Sequence, residues 1–319
     1  MHAVQTMAYV DEVPWHGLGN RLAPCQPIET WAHQAGMDWQ IKETEVCFVA
    51  DGRPGIVKAF PGQKVLYRSD TKQPLSVVSD RYQTVQPSEI LEFYRDLTDL
   101  GGFELETAGV LKGGRKFWAL AKTGHAARLR GSDPVQGYLL LATACDGTLA
   151  TTAQFTSIRV VCANTLHIAL KDGRGTVKVP HSTQFNAQAV KERLGIAVSS
   201  WDGFMLRMKA LAECKVTDAQ AEAFLRKVLT PPQPVQPWGQ VVSGERAIKA
   251  AYELYAGKGR GSRLPSAQGT AWGLVNSITE FIDHHRRARS VDHRLDAAWF
   301  GLGAATKLRA WDEALSLLS

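Results

Sequence analysis

Few residues in this 319-residue chain stand at spacings that chemistry requires. Asp283-His284-His285, with Asp292-His293 close behind, offers metal-ligating side chains. Adjacent helical residues point about 100° apart, however, so only one of the paired histidines can face a given ion. The segment reads better as a basic helix end, where positive charge offsets the macrodipole, and no metal site is expected. Cys162 has His167 five residues on, a spacing at which the two do not face each other on an ideal helix. A buried free cysteine is then a small core residue rather than a nucleophile. Gly257-Lys-Gly-Arg-Gly-Ser-Arg263 has the composition of a phosphate loop, but no strand precedes it, and it reads as a flexible basic loop. Neither a nucleophile elbow nor a dinucleotide fingerprint occurs. The expectation is a chain without catalytic residues and without a cofactor.

Basic residues form the more coherent pattern. Lys112, Arg115, Lys116, Lys122, Arg128 and Arg130 fall within residues 111–130, where no acid occurs. Arg159, Lys171, Arg174 and Lys178 follow in the next segment, with Asn164 among them. Trp118 and Phe117 stand beside the first group, and Tyr138 opens a neighbouring strand. Cations that track phosphates, interleaved with aromatics that stack bases, suit a single-stranded nucleic acid. Solvated hairpin edges whose lysines discourage aggregation explain the same charges equally well. On the stretch Thr148–Thr156, alternation puts Thr148, Ala150, Thr152, Gln154 and Thr156 on one small, neutral face, which either abuts a backbone or faces water. No recognition helix is visible, so sequence specificity is not expected. Asp80-Arg81-Tyr82 reads as a turn with a buried tyrosine, or as a latch between the strands and the first long helix.

The elements that would position these residues change character along the chain. Residues 39–49 alternate as a half-buried strand, and 64–67 and 75–78 read as two more. Pro87-Ser88 signals a helix start, carried on by Ile90, Leu91, Phe93, Tyr94 and Leu97 and closed by Gly101-Gly102. A four-strand meander is expected over 103–111, 116–122, 138–145 and 149–155, with turns at Gly113-Gly114 and Asp146-Gly147. Residues 158–170 read as a helix and 176–179 as a strand. Helices are then expected over 184–211, broken near 199–203, and from a Thr217 cap to Leu229. The proline-rich 230–238 forms a linker, and three helical patterns follow over 245–255, 270–287 and 294–318. The fold class is therefore α+β. A β-rich, antiparallel N-terminal region with packed helices occupies residues 1–180, and a mainly helical region occupies 181–319.

Composition bounds the rest. Apolar residues make up 45% of the chain and charged residues 21%, so a packed core is affordable and wholesale disorder is excluded. No apolar run approaches the ~20 residues of a membrane span. The first fourteen residues carry two acids and no Lys or Arg, unlike a leader, and five scattered cysteines suit a reducing cytoplasm. Charge is split: residues 1–100 hold 9 Lys and Arg against 13 Asp and Glu, whereas the remainder holds 28 against 18. Such asymmetry points to a polyanionic partner.

Five blocks carry a resemblance. Trp15-His-Gly-Leu-Gly19, Ser79-Asp-Arg-Tyr82 with Val85-Gln-Pro87, Val161-Cys-Ala-Asn-Thr-Leu166, residues 270–284 and Trp299–Lys307 resemble the phage/plasmid-like proteins of domain of unknown function 932. That likeness implies a bacteriophage, plasmid or integrated element in a bacterial cytoplasm, and names no reaction. More distantly, a β-hairpin followed by a helix on a basic core is similar to the single-strand annealing superfamily of RecT, Red-beta and the Rad-type proteins. It implies a ring or filament of like subunits holding single-stranded DNA in a basic groove, in recombination or protection of DNA. Two alternatives stand beside it: a protein that docks a host factor through its C-terminal helices, and a metal-dependent nucleic-acid enzyme using Asp283, His284 and His293.

Overall fold

The computed structural model of the chain describes residues 4–11, 19–51, 55–100, 102–159, 164–167, 176–198, 200–230 and 244–318. Strands fill the N-terminal half and helices most of the C-terminal half, the α+β arrangement that the hydrophobic periodicities predict. Two compact units interleave along the chain rather than follow one another. Met1–Gly124, Leu139–Gln154 and Thr176–Gly195 form the first; His125–Tyr138, Phe155–Gly175 and Ile196–Ser319 form the second. No helix among the described residues is long and apolar enough to cross a membrane.

In chain order the first unit begins with β1 (Val4–Tyr9), β2 (Asn20–Arg21), α1 (Ile28–Gln34), β3 (Ile41–Ala50), β4 (Ile56–Arg68), β5 (Pro74–Ser79) and α2 (Pro87–Leu100). The sheet strands β6 (Glu104–Leu111), β7 (Lys116–Leu129), β8 (Asp133–Ala144), β9 (Thr151–Arg159), β10 (Asn164–His167) and β11 (Thr176–Val179) follow. One sheet runs in the order β10-β9-β8-β7-β6-β1-β2, with β11 also paired to β9; a second, three-stranded sheet runs β3-β4-β5. Helix α2 starts one residue before the expected Ser88, because Pro87 is pre-set for the first helical position. Its cap is Gln86, whose N–H donates to Glu89 Oε2 at 2.7 Å. Ile90, Leu91, Phe93 and Tyr94 are buried, and the Tyr94 hydroxyl shares its proton between the carbonyls of Ala119 on β7 and Leu139 on β8, each 2.9 Å away. Burial pushes that phenol's pKa well up.

The second unit is built around helices: α4 (Ser200–Glu213), which follows α3 (Ala187–Val198), then α5 (Asp218–Leu229), α6 (Gly244–Glu253), α7 (Ala271–Glu280), α8 (Val291–Phe300) and α9 (Leu302–Ser316). Helix α7 is buried on all sides, as a sequence apolar all round demands, and packs against α4, α5, α6 and α9. Its polar residues bond within the helix: Asn276 to Trp272 O, Ser277 to Leu274 O and Thr279 to Asn276 O. Gly273 permits the approach, since a Cβ there would sit 2.0 Å from Ala267 O.

Several expectations are corrected. The described part of the helix expected over 158–170 is strand: Ile158 and Arg159 end β9, and Asn164–His167 pair antiparallel with it. The β-branched Ile158 and Thr165 crowd a helix at χ1 but suit a pleated strand. Strand β7 runs on to Leu129 and β8 begins at Asp133, leaving a turn where a long connection was expected. The helix expected over 294–318 is broken at Gly301, whose φ of -116° and ψ of -149° are not helical. The small, neutral face of 148–156, expected to abut a backbone or face water, is graded: Thr148 is exposed, Ala150 and Gln154 are half-buried, and Thr152 and Thr156 are buried. Cys162 and the 231–237 linker lie outside the described residues.

Candidate nucleic-acid interface

The first-unit members of the predicted basic set do not form one surface. Lys116 and Trp118 are buried at 3% and 1% exposure at the start of β7. Their flank of the sheet is core, and Trp118 has no free face on which a base can stack. Lys112 is half-buried in the short 3-10 turn after β6, whose Gly113 takes the left-handed conformation. Arg115 is exposed at the start of β7, and Lys178 is exposed on β11 opposite Thr152. Lys122 donates to Asp11 Oδ2 at 2.5 Å. Burial works against its charge, but Asp11, Glu106 and Glu104 outweigh that and raise its pKa. With Asp11, Cys25, Trp31 and Arg95, Lys122 lines a cavity of about 490 Å³. Arg95 is held by Glu29 and Glu92, so the cations of this cavity are already balanced by acids.

Asp80-Arg81-Tyr82 serves as a latch, though not to a helix. The Tyr82 hydroxyl donates to Ala144 O at 2.7 Å, and its ring stacks on His181 at 4.5 Å. The His181 ring nitrogens lie 3.1 Å from Gln83 O and 3.0 Å from Leu149 O, so one aromatic pair fixes both sides of the Asp146-Gly147 hairpin.

In the second unit hydrogen bonds link three basic segments. Arg128 and Arg130 are exposed at the β7–β8 turn, whose Arg130 and Gly131 have positive φ. That turn is nailed down by Asp133, fully buried, which accepts from Ser266 Oγ at 2.6 Å and from the Trp272 indole N–H at 3.2 Å. Arg130 itself reaches the Pro265 carbonyl at 3.1 Å. The Gly257–Arg263 segment is therefore not the free loop its composition suggests. Gly259 N–H closes on Leu254 O, and the Arg260 N–H donates to both carboxylate oxygens of Glu280, at 3.2 and 3.0 Å. A Cβ on Gly259 would meet Leu254 O at 2.7 Å and Glu280 Oε2 at 2.9 Å, so only glycine allows this approach.

Glu280, 5% exposed at the end of α7, also lies 3.5 Å from His285 Nε2. One buried carboxylate thus joins the 257–263 loop to the turn that follows α7. Across the three joined segments Arg128, Arg130, Lys258, Arg260, Arg263, Arg286, Arg287 and Arg289 are all exposed. Neither 257–263 nor 284–289 contains an acid. Lys258 pairs with Glu253, whereas Arg128, Arg263, Arg286, Arg287 and Arg289 make no ion pair among the described residues. The second unit as a whole holds 21 Lys and Arg against 14 Asp and Glu, and the first 16 against 17.

Arg159 and Asn164, also in this unit, are register partners on β9 and β10, while Lys171 and Arg174 lie outside the described residues. Sequence reading singled out Arg128 and Arg130 but treated 257–263 and 284–289 separately, as a loop and a helix end. The acid-free runs were visible; their junction through Glu280 was not. Asp283 bonds Lys307 Nζ at 2.8 Å, the two side chains 2% and 0% exposed, and no group of three metal-ligating side chains occurs among the described residues.

A family model described as "Domain of unknown function (DUF932)" matches residues 74–299. No curated protein matches the chain, and no solved structure does.

Proposed function

The chain belongs to the DUF932 family, whose description states no reaction, and we propose that it is a non-catalytic single-stranded DNA-binding protein that holds the strand by its phosphates. One observation carries this reading: three exposed basic segments of the second unit, two of them free of acids, are joined by Glu280 and by the contacts of Asp133 and Arg130. Arg128, Arg263, Arg286, Arg287 and Arg289, exposed and in no ion pair among the described residues, are available to displace the counterions condensed on a polyanion, and that release supplies sequence-independent affinity.

The aromatic half of the expected site is corrected, because Trp118 and Phe117 are core. Binding would then rest on the backbone, leaving base edges free to test a complementary strand. Annealing needs no more than that: neutralised phosphates lower the repulsion between two strands. Recombination or protection of DNA in a bacteriophage, plasmid or integrated element is the setting this activity suits. The metal-dependent alternative is weakened, since Asp283 is engaged by Lys307 inside the protein.

The test is fluorescence anisotropy of a labelled single-stranded 40-mer at several salt concentrations, beside a duplex of equal length. Wild-type protein is expected to prefer the single strand, with an affinity that falls steeply with salt. Replacing Arg286, Arg287 and Arg289 together by glutamate should lower affinity at least about tenfold and reduce the logarithmic salt slope by about 2, at ~0.7 per phosphate contact on a single strand. No binding at low salt, or an unchanged triple variant, rejects the reading.

A further inference from the structure

The β3–β4 hairpin exposes a surface that the rest of its sheet leaves uncovered. At its base it is well held: Arg68 is buried with its guanidinium 4.1 Å from the Trp39 ring, and it bonds both oxygens of Asp70. Strand β5 pairs with β4 only from Gln63 to Tyr67. Beyond that the hairpin is a two-stranded ribbon, Cys47–Ala50 against Ile56–Ala59. Alternation places Phe48, Ile56 and Phe60 on one face, and Cys47, Val49 and Val57 on the other. Phe48 is 45% exposed, Val49 68%, Ile56 60%, Val57 67% and Phe60 47%, so both faces are open; the face of Cys47, Val49 and Val57 is apolar, while the exposed Lys58 stands opposite Phe48 on the other. A two-stranded ribbon is marginal by itself and gains stability from a third strand.

The two outer edges of the ribbon differ. On β4 the edge is broken by Phe60-Pro61-Gly62-Gln63, an insertion opposite Val46 that carries a proline without an N–H and a Gly62 with φ of 82°. On β3 the proximal half bears Lys42, Glu43 and Glu45, charges of the kind that guard an edge. Its distal half, Cys47-Phe-Val-Ala50, has neither charge nor proline, and β3 is the edge strand of its sheet. This short edge is open to another strand.

We propose that the distal edge of β3 pairs antiparallel with its own counterpart in a second copy of this chain, giving a β4-β3-β3-β4 ribbon across a two-fold axis. Self-pairing is favoured by the match of the two edges: each brings the same four uncharged residues, and the pairing sets the exposed Phe48 and Val49 of one copy beside those of the other, whereas a charged partner strand finds no countercharge on Cys47-Phe-Val-Ala50. A lipid surface fits less well, because the residues joining the strands, Asp51-Gly-Arg-Pro-Gly55, carry both charges. A nucleic acid fits no better: residues 42–64 hold four Lys and Arg against three Asp and Glu, and Lys64 is bonded to Glu43. The proposal stands independently of DNA binding.

Sedimentation velocity of the full chain, under reducing conditions and over a range of concentrations, reads the assembly. Wild-type protein is expected to be dimeric, and the Phe48→Asp/Val49→Lys variant monomeric with an unchanged far-ultraviolet spectrum and melting temperature, since both side chains are exposed. A monomeric wild type overturns the proposal, as does a variant that stays dimeric. A second measurement locates the contact. Two-fold antiparallel pairing sets one residue of β3 directly opposite its own copy, with Cα atoms about 4.5–5.5 Å apart, within disulfide reach. Single cysteines placed in turn at 47, 48, 49 and 50, with Cys25 and otherwise Cys47 replaced by serine, should give a covalent dimer at one of these positions on mild oxidation. A dimer that cross-links at none of them puts the interface elsewhere and overturns the proposal equally.

Discussion

Lys307 and Asp283 show how burial redefines a residue's role. An ammonium and a carboxylate taken out of water cost several kcal/mol each to desolvate, and their 2.8 Å contact offsets this only while both are present. Lys307→Met should therefore lower stability by about 3–5 kcal/mol, read from the urea midpoint, whereas Lys307→Met with Asp283→Leu should recover most of the loss. From the sequence, Asp283-His284-His285 was legible only as a polar helix end, because the partner of its acid is 24 residues away. Cys145 makes a similar point. Burial first, and then the neighbouring negative charge of Asp146, push its thiol up to about 12, so it is protonated at neutral pH. Iodoacetamide should label the exposed Cys25 of the native protein and spare Cys145, with labelling of Cys145 appearing only on unfolding. Its low reactivity follows from its place under the Asp146-Gly147 hairpin, where its N–H donates to Arg115 O at 2.8 Å.

Elements whose signals are local could be read directly. Thr217 caps α5, accepting from Gln220 N while the Gln220 side chain accepts from Thr217 N at 3.0 Å, and both halves of that capping box are four residues of sequence. Thr217→Ala should cost about 1 kcal/mol in a denaturant titration, with the loss confined to the second unit's transition if the units unfold separately. The strands β3 to β6, helix α2 and the two glycine turns of the meander follow equally local rules. Residues 164–167 do not. Their apolar spacing fits a helix and a strand alike, and pairing with β9 settles the choice by satisfying backbone groups that a lone segment leaves open. Likewise the 257–263 loop has glycines and cations enough to be called mobile, until a carboxylate 20 residues on accepts its backbone N–H.

At the scale of the whole molecule, charge and topology have separate origins. The excess of bases beyond residue 100 is a property of composition, and it already pointed to a polyanion. Interleaving of the two units concentrates that excess: the second unit has 21 Lys and Arg to 14 Asp and Glu, and the steep salt dependence expected of DNA binding belongs to this unit rather than to the hairpin at 112–122. The sequence by itself determined the α+β class, the order of most elements, the capped helix starts and the sign of the charge, because these depend on residue type and on neighbours a few positions away. Contacts between distant residues are what put Lys116 and Trp118 in the interior, tie three basic segments through Asp133 and Glu280, and leave the β3–β4 ribbon uncovered. Each of these depends on which distant residues exclude water from a side chain or supply its hydrogen-bond partner, and that information is absent from any short window of sequence.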